Sequence, residues 1–538
     1  MSESVKAYLD KFKGLRKTNP ISEPLSGVMS AMSISNTELK YSGNSDAVGI
    51  YSMLGNTIVA SLTNEDEKIY GMWESYQEGT LYWIIYTSDG IKGRLYNYNK
   101  SLNTFTLIYD VLTATIYANA ITVSQGFYDY LFFTNGIDAP LAIRMAETVP
   151  EDIVTVISAI DYEGRDIRGL ALESYDNRVV MTSGNRVHWS RQGDIFDWAT
   201  IESLETDSAY QEFDREITAI AYYNNSLIVF TDDYSVSFSG NPAVTTSFNR
   251  SGATGGGCAS YLSIIKFDNK LYYYDRASKN IFAYYLYDSG QIRPSDGVAS
   301  NIFEEFNDVD NARIKETQFF PVLVENRNEI WFKVPIKGGL SKVLILNYTL
   351  GEWVVRTEQK ITKVMIYNDE LYSCFDNHIL KEYNGENYGD EFIPSHYEFN
   401  VINLGSDATL KSCKGRIFFT LDTTDEDGNA IENDFYIQFI RDGNELRSKT
   451  KRITKKIPDD TLIWVNNDDD LSGGYWVEDD EDKRGNVWLR ISRYDQLLKL
   501  PPIAPCKQLK IKIFTAFAGQ RFAIKRIEFA KINIKRAK

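Results

Sequence analysis

The sequence is poor in the residues that most often carry chemistry. Three histidines (His188, His378, His396) and four cysteines (Cys258, Cys374, Cys413, Cys506) are scattered through 538 residues. With no H-E-x-x-H and no C-x-x-C, neither a zinc-protease helix nor a zinc ribbon is encoded. Thiols this sparse argue against a disulfide framework and suit assembly in a reducing cytoplasm. The opening residues, MSESVKAYLDKFKGLRKTNP, lack the apolar core of a secretory leader. No window approaches 18 apolar residues, so an ordinary membrane-spanning helix is not expected. Beyond the first twenty residues, windows with a sustained 3.6-residue apolar period are few.

Positive charge is also scarce, except at one end. The net charge is −16, yet the last 32 residues, from Lys507, hold ten Lys/Arg and the single acid Glu528. Removing that +9 leaves −25 on residues 1–506. A body this acidic repels nucleic acid, because phosphate binding runs on Lys/Arg neutralisation. What the chain has in excess is aromatics, 13% of residues, led by 35 Tyr and 28 Phe. Such side chains pack well on a pleated surface, so strands are expected.

Seven stretches share one pattern: a polar lead-in, an apolar run, a turn, and a second aromatic-rich run. They are EGTLYWIIYTSDGIKGRLYNYN (78–99), GFYDYLFFTNGIDAPLAIR (126–144), YDNRVVMTSGNRVHWSR (175–191) and YNNSLIVFTDDYSVSFSG (223–240). FDNKLYYYDRASKNIFAYYL (267–286), NRNEIWFKVPIKGGLSKVLILNYTLGEW (326–353) and YNDELYSCFDNHILKEYNG (367–385) continue the series. Their first core positions, 81, 131, 179, 227, 271, 330 and 371, are spaced 41 to 59 residues apart. The lead-ins YDN, YNN, FDN, NRN and YND put Asn and Asp where a left-handed turn is needed. Alternation around such turns marks hairpins.

A lone hairpin cannot bury its face. Seven at this spacing predict a six- or seven-bladed β-propeller, whose four-stranded blades hide their edges by radial packing. A series of β-sandwiches would not keep so steady a period. Residues 41–77 offer a strand to close the ring (TIVASLT, then KIYGMWES), which leaves the blade count open. Trp189, Trp198 and Trp353 are read as packing residues at or near blade interfaces.

The expected organisation is an N-terminal arm over 1–40, a propeller over 41–397 and a C-terminal antiparallel β-sandwich over 398–538. A short helix is expected around Val5–Leu15. The sandwich strands are TLKSCKGRIFFTLDTT, NDFYIQFIRDG, VWLRISRY, KQLKIKIFTAF and FAIKRIEFAKINIK, with an acidic insertion, NNDDDLSGGYWVEDDEDKRGN, at 466–486. The last strand alternates Ile/Phe with Lys/Arg, giving one buried face and one basic face. Lys525, Arg526, Lys531, Lys535 and Arg536 are its candidate interface residues.

Catalytic and metal signatures fail on their details. Asp425-Glu-Asp427-Gly428 begins like a calcium loop, but the Gly comes two positions early and the closing Glu is missing. The acidic runs 468–470 and 478–482 are read as solvated loops. His188, beside Trp189 in a hairpin, is read as a strand residue rather than a ligand. SGATGGGCAS (251–260) lacks the Gly-Lys-Ser/Thr of a phosphate cradle and precedes a strand, so it reads as a crossing between blades. No G-x-S-x-G elbow occurs. SRQGDIFDW holds the ingredients of the S-x-D-x-G-x-x-W turn of sialidase-type propellers, but Gly193 precedes Asp194. No catalytic, metal or cofactor site is assigned, and no cofactor is expected.

Several segments together resemble tail proteins of short-tailed bacteriophages. FKGLRKTNPISEPLSGVMSAMSISNTEL is similar to the opening arm of that family. GFYDYLFFTNGIDAPLAIR resembles a recurrent hairpin, with Thr134-Asn135-Gly136 followed by Asp138 and Pro140. NRVHWSRQGDIFDW looks like the segment where a strand ending in Trp-Ser leads to a Gly-containing loop and a Phe–Trp pair. GGGCASYLSIIKFDNKLYYYDRASKNIFAYY is similar to the block that follows. The resemblance covers most of residues 10–390 and carries over no catalytic residues.

This resemblance implies a structural virion protein of the tail: a nozzle, tail tubular or DNA-stabilising hub β-propeller, usually a ring of six. Assembly would take place in the bacterial cytoplasm. The partners implied are copies of itself and other tail, adaptor or portal-proximal proteins, with genomic DNA as passing cargo. If acidic loops face the lumen, DNA meets walls of its own sign and does not stick. The basic C-terminal face is then free to dock on acidic neighbours. Two competing classes are a receptor- or glycan-binding propeller at the tail tip and a glycan-degrading enzyme. A cytoplasmic scaffold propeller fits the composition but not the phage-like arm.

Overall fold

The computed structural model describes residues 49–399 apart from short gaps (78–79, 146–152, 200–209, 243–247, 251–253, 287–291, 295–297, 325–326, 360 and 386–391). It also describes 4–9, 11–15, 28–40 and, past 400, mainly the strands named below. The described chain is nearly all strand, with two short 3₁₀ turns at Ser300–Phe306 and Asn311–Glu316. It divides into two compact units. One comprises Asn56–Tyr348 with Thr357–Asn384, and the other comprises Met1–Gly55, Thr349–Arg356 and Gly385–Lys538.

The first unit is a seven-bladed β-propeller. Each of the seven repeat hairpins forms the second and third strands of an antiparallel sheet. Blades 1 to 5 span 68–113, 119–156, 172–212, 219–255 and 264–294, blade 6 includes 318–347, and blade 7 begins at 363. Blade 7 has only three strands of its own, ending with His378–Glu382. Its fourth is Asn56–Ser61, from the TIVASLT segment, paired antiparallel to it. The KIYGMWES segment instead lies in Lys68–Gln77, the first strand of blade 1.

Turn chemistry explains the lead-ins. Asp176-Asn177, Asn224-Asn225, Asp268-Asn269 and Asn368-Asp369 all have φ between 45° and 58° at both positions. Two successive left-handed residues match the right-handed twist of the strands they join, and Asn and Asp tolerate that region best. The aromatic just before the turn reaches the next blade. Tyr175 Oη donates to the Gly240 carbonyl at 2.7 Å, and Tyr223 Oη donates to the Asn269 carbonyl. One short motif therefore builds a hairpin and fastens it to its neighbour.

The first strands of successive blades adjoin from 119–125 round to 363–367, which in turn adjoins 68–77. Blades 1 and 2 share a core that includes Tyr86, Leu95, Leu131 and Phe133. The sheets thus stand around one axis with their first strands innermost, and apolar layers fill the spaces between blades. At the seam between blades 7 and 1, Trp83 is fully buried among Tyr98, Tyr367 and Tyr372, with ring centroids 5.0 to 5.6 Å away. Ala60 and Leu62, on or just past the closing strand, belong to the same cluster.

The second unit is a β-sandwich of two seven-stranded sheets, with a separate three-stranded sheet (Ile463–Asn466, Gly474–Val477, Val487–Leu489). One large sheet centres on Ala523–Arg536 and the other on Gln508–Phe514. In Asn433–Arg441 buried and partly exposed residues alternate for most of the strand, the signature of a sheet with one covered face. Phe435 meets Phe522 at a ring distance of 6.1 Å.

Two expectations need correction. Val5–Leu15 is not helical: Ser4–Leu9 pairs with Ala523–Arg536, and Lys11–Leu15 runs parallel to Val28–Ser35. Long-range pairing with a strand from the far end of the chain overrides a weak local preference. Nor is 1–40 a separate arm, because its strands complete the sheets of the C-terminal unit. The propeller accordingly begins at 56 rather than 41 and ends at 384 rather than 397.

Candidate functional site

The connections that lead into the first strands and those that join second to third strands emerge at one end of the propeller. There they surround a cavity of about 520 Å³ on the axis. Its wall comes from the approaches to blades 2 to 6 (Tyr117, Arg168, Arg215, Tyr261, Lys315) and from second-to-third-strand turns (Asn135, Gly184, Asp232, Arg276). Tyr261, at the start of blade 5, donates its hydroxyl to the Ala118 carbonyl at the start of blade 2, 3.3 Å away. Blades 3 and 4 lie between these residues on one side and blades 6, 7 and 1 on the other, so the phenol reaches across the ring at the cavity. Burial raises its pKa far above the phenolic range, keeping it a neutral donor.

The wall is held by close backbone contacts. A Cβ on Gly169 would lie 1.5 Å from the Thr182 carbonyl oxygen, and one on Gly257 would lie 2.2 Å from the Asp232 backbone. The Gly-rich run containing Gly257 is thus the crossing from blade 4 to blade 5, as its sequence suggested. Asn135 caps its own turn, its Oδ1 accepting from the amides of Ile137 and Asp138. Asp138 then accepts from the Thr113 amide at 2.6 Å and its hydroxyl at 2.8 Å, tying blade 2 to blade 1. The Thr134-Asn135-Gly136…Asp138 motif is therefore a fastening on the rim of the cavity.

The lining carries Arg168, Arg215, Arg276 and Lys315 against Glu216 and Asp232. Both carboxylates are engaged. Asp232 lies 3.6 Å from Arg215, which also meets Asp233 at 3.0 Å. Glu216 lies 3.7 Å from Lys315. Arg168 pairs with Asp166 at 3.3 Å. Cys258 lines the cavity too, but burial raises its thiol to about 11, and its Sγ bonds Ser260 and Ser263. A thiol held neutral in this way is no nucleophile at physiological pH.

Of the residues singled out from sequence, Asn135, Gly136 and Cys258, from the hairpin of blade 2 and the Gly-rich run, line this cavity, but none of the candidate packing and interface residues does. Trp189 and Trp198 lie in the cores between blades 3 and 4 and between blades 2 and 3. Trp198 Nε1 donates to the Ile195 carbonyl at 2.9 Å within the SRQGDIFDW loop, and its ring lies 6.0 Å from Phe132. Trp353 is buried. Lys525 is exposed and Arg526 partly buried on the final strand. Lys531, Lys535 and Arg536 belong to that strand, but their side chains lie outside the described residues, as do 425–428, 468–470 and 478–482.

The histidines are dispersed. Burial pushes His188 down to about 4, and its ring sits 5.5 Å from Tyr210. His378 bonds Ser61 and His396 bonds Ser33. Among the described residues there is no group of three side chains that could hold a metal ion. Among them, too, no helix is long and apolar enough to cross a membrane.

No protein-family model matches the chain, and no curated protein matches it. Solved structures resemble it faintly. A candidate 6-phosphogluconolactonase from Bacteroides fragilis is 11% identical, covering 57% of this chain and 86% of its own, with a TM-score of 0.34. A chain of a mitotic checkpoint complex is 9% identical, covering 64% and 95%, with a TM-score of 0.35. The N-terminal domain of Nup159 is 10% identical, covering 64% and 97%, with a TM-score of 0.34. Likenesses this slight add nothing to the sheet topology.

Proposed function

We propose that the protein is a structural component of a bacteriophage tail. Copies form a ring, with six the favoured number, that continues the DNA conduit, retains packaged DNA and takes part in its ejection. It works in the virion after assembly in the host cytoplasm, beside other tail, adaptor or portal-proximal proteins, and it performs no catalysis. The observation that carries the reading is that the segments resembling the tail family are fastenings: the rim hairpin of blade 2, the Trp198 loop and the crossing into blade 5. A rigid closed block suits a wall element. Because Tyr261 crosses the propeller axis, the conduit in this reading is what the copies enclose between them.

In this ring the acidic loops face the lumen and repel DNA, while the basic C-terminal strand docks on neighbours. Mass photometry of the purified chain, followed by cryo-EM of intact particles, tests the proposal. A six-fold ring with an acidic lumen is expected. A chain that stays monomeric in particles and binds polysaccharide would replace this reading with the receptor one, and a strongly basic lumen would remove the repulsion argument.

A further inference from the structure

The axial cavity does not depend on where the protein works. Its volume of about 520 Å³ lies within the range of small-molecule sites. The Tyr261 hydroxyl meets the Ala118 carbonyl across the ring, which obstructs the axis there and favours a compact occupant over a threading polymer. The glycines that pin the wall make it a preformed site, which reduces the ordering cost of binding.

Charge selects the class of occupant. In a chain of net charge −16, this wall carries four cations and two carboxylates. Both carboxylates already face a lining cation, which disfavours a cationic guest. Arg276 lines the cavity without an ion-pair partner among the described residues. Among the described residues Lys315 meets an acid only at Glu216, 3.7 Å away, and both side chains are more than 60% exposed. An exposed pair of that length is weak and easily exchanged. Guanidinium groups bind carboxylate and phosphate through paired, charge-assisted hydrogen bonds.

We infer that the axial cavity binds a compact anion, a carboxylate or phosphate, with Arg276 and Lys315 as its principal charge partners. Two sources share that chemistry: a free inorganic anion, and a small ligand such as a sugar acid or sugar phosphate. Isothermal titration of the full-length protein with inorganic phosphate, glucuronic acid, glucose 1-phosphate and neutral glucose separates them. At least one anion binds while glucose does not, and binding weakens as salt rises. Phosphate binding as tightly as glucose 1-phosphate identifies the free anion, and tighter binding of a sugar acid or sugar phosphate identifies the carried group.

Losing one charge-assisted contact reduces affinity roughly 10- to 100-fold. Arg276→Ala and Lys315→Ala are each expected to do so with an unchanged far-UV spectrum and melting temperature, and Arg276→Lys to retain part of the affinity. The inference is overturned if none of the anions binds at about 10 mM, an affinity weaker than about 3 kcal/mol. Anion binding that is the same in both alanine variants as in the wild type also overturns it.

Discussion

Trp83 offers the sharpest test of ring closure. Its indole is fully buried at the seam where the last blade, completed by Asn56–Ser61, meets the first. Removing about 200 Å² of aromatic surface costs about 5 kcal/mol at 25 cal/mol per Å². Measured Trp→Ala losses of about 3–5 kcal/mol put Trp83→Ala near 4 kcal/mol. Trp83→Phe should cost far less, about 1 kcal/mol: it keeps a ring against the three tyrosines and removes an Nε1–H that has no hydrogen-bond partner among the described residues. A whole-chain midpoint would not localise the loss to the seam, so the assay is amide hydrogen exchange resolved by peptide. In Trp83→Ala, exchange should accelerate up to about a thousand-fold, equivalent to about 4 kcal/mol. It should do so together in Thr80–Asn99, His378–Glu382 and Asn56–Ser61, although these segments are far apart in sequence. Acceleration confined to Thr80–Asn99, with Asn56–Ser61 at its wild-type rate, would refute the closure argument.

Three other perturbations have expected outcomes. His188 titrates near 4 in the folded chain because burial penalises its charge. The unfolded chain takes up that proton near pH 6.5, so stability falls on acidification from about 6.5 to 4, by on the order of 3 kcal/mol. Chemical denaturation of His188→Gln should show a flatter pH dependence in that window. The Glu370 carboxyl is held down to about 2 by hydrogen bonds from Lys381 and Tyr372. Its contribution is present above its unfolded value and is lost as pH falls through the folded one, so Glu370→Gln should narrow the loss of melting temperature between pH 5 and 2. Gly169→Ala places a methyl 1.5 Å from the Thr182 carbonyl oxygen; a loss of about 3 kcal/mol or more is expected, read as a lower melting temperature or insoluble protein.

The propeller was legible because its blades are local objects. The pairs Asp176-Asn177, Asn224-Asn225, Asp268-Asn269 and Asn368-Asp369 sit between strands a few residues long, and the turn they build is set by their own backbone preferences. TIVASLT was legible as a strand, but its partner, His378–Glu382, lies more than three hundred residues away. The first residues misled for the same reason, since SVKAYL finds its strand partner near the C-terminus. The axial cavity was invisible because Arg168, Arg215, Tyr261, Arg276 and Lys315 meet only once five blades have closed. A sequence signal existed in the residues just before each first strand, where Arg168-Gly169 and Arg215-Glu216 precede Leu172–Tyr175 and Ala219–Tyr223.

Borrowing the final strand of blade 7 from the beginning of the chain sets the order in which a nascent molecule can finish. Until residue 382 has left the ribosome, Asn56–Ser61 has no partner, and the growing arc carries an open sheet edge at each end. Closing so long a loop is slow, and open strand edges recruit other chains. Synthesis of this protein should therefore be most vulnerable to aggregation just before completion of the circle, and a chaperone that shields strand edges should raise its yield.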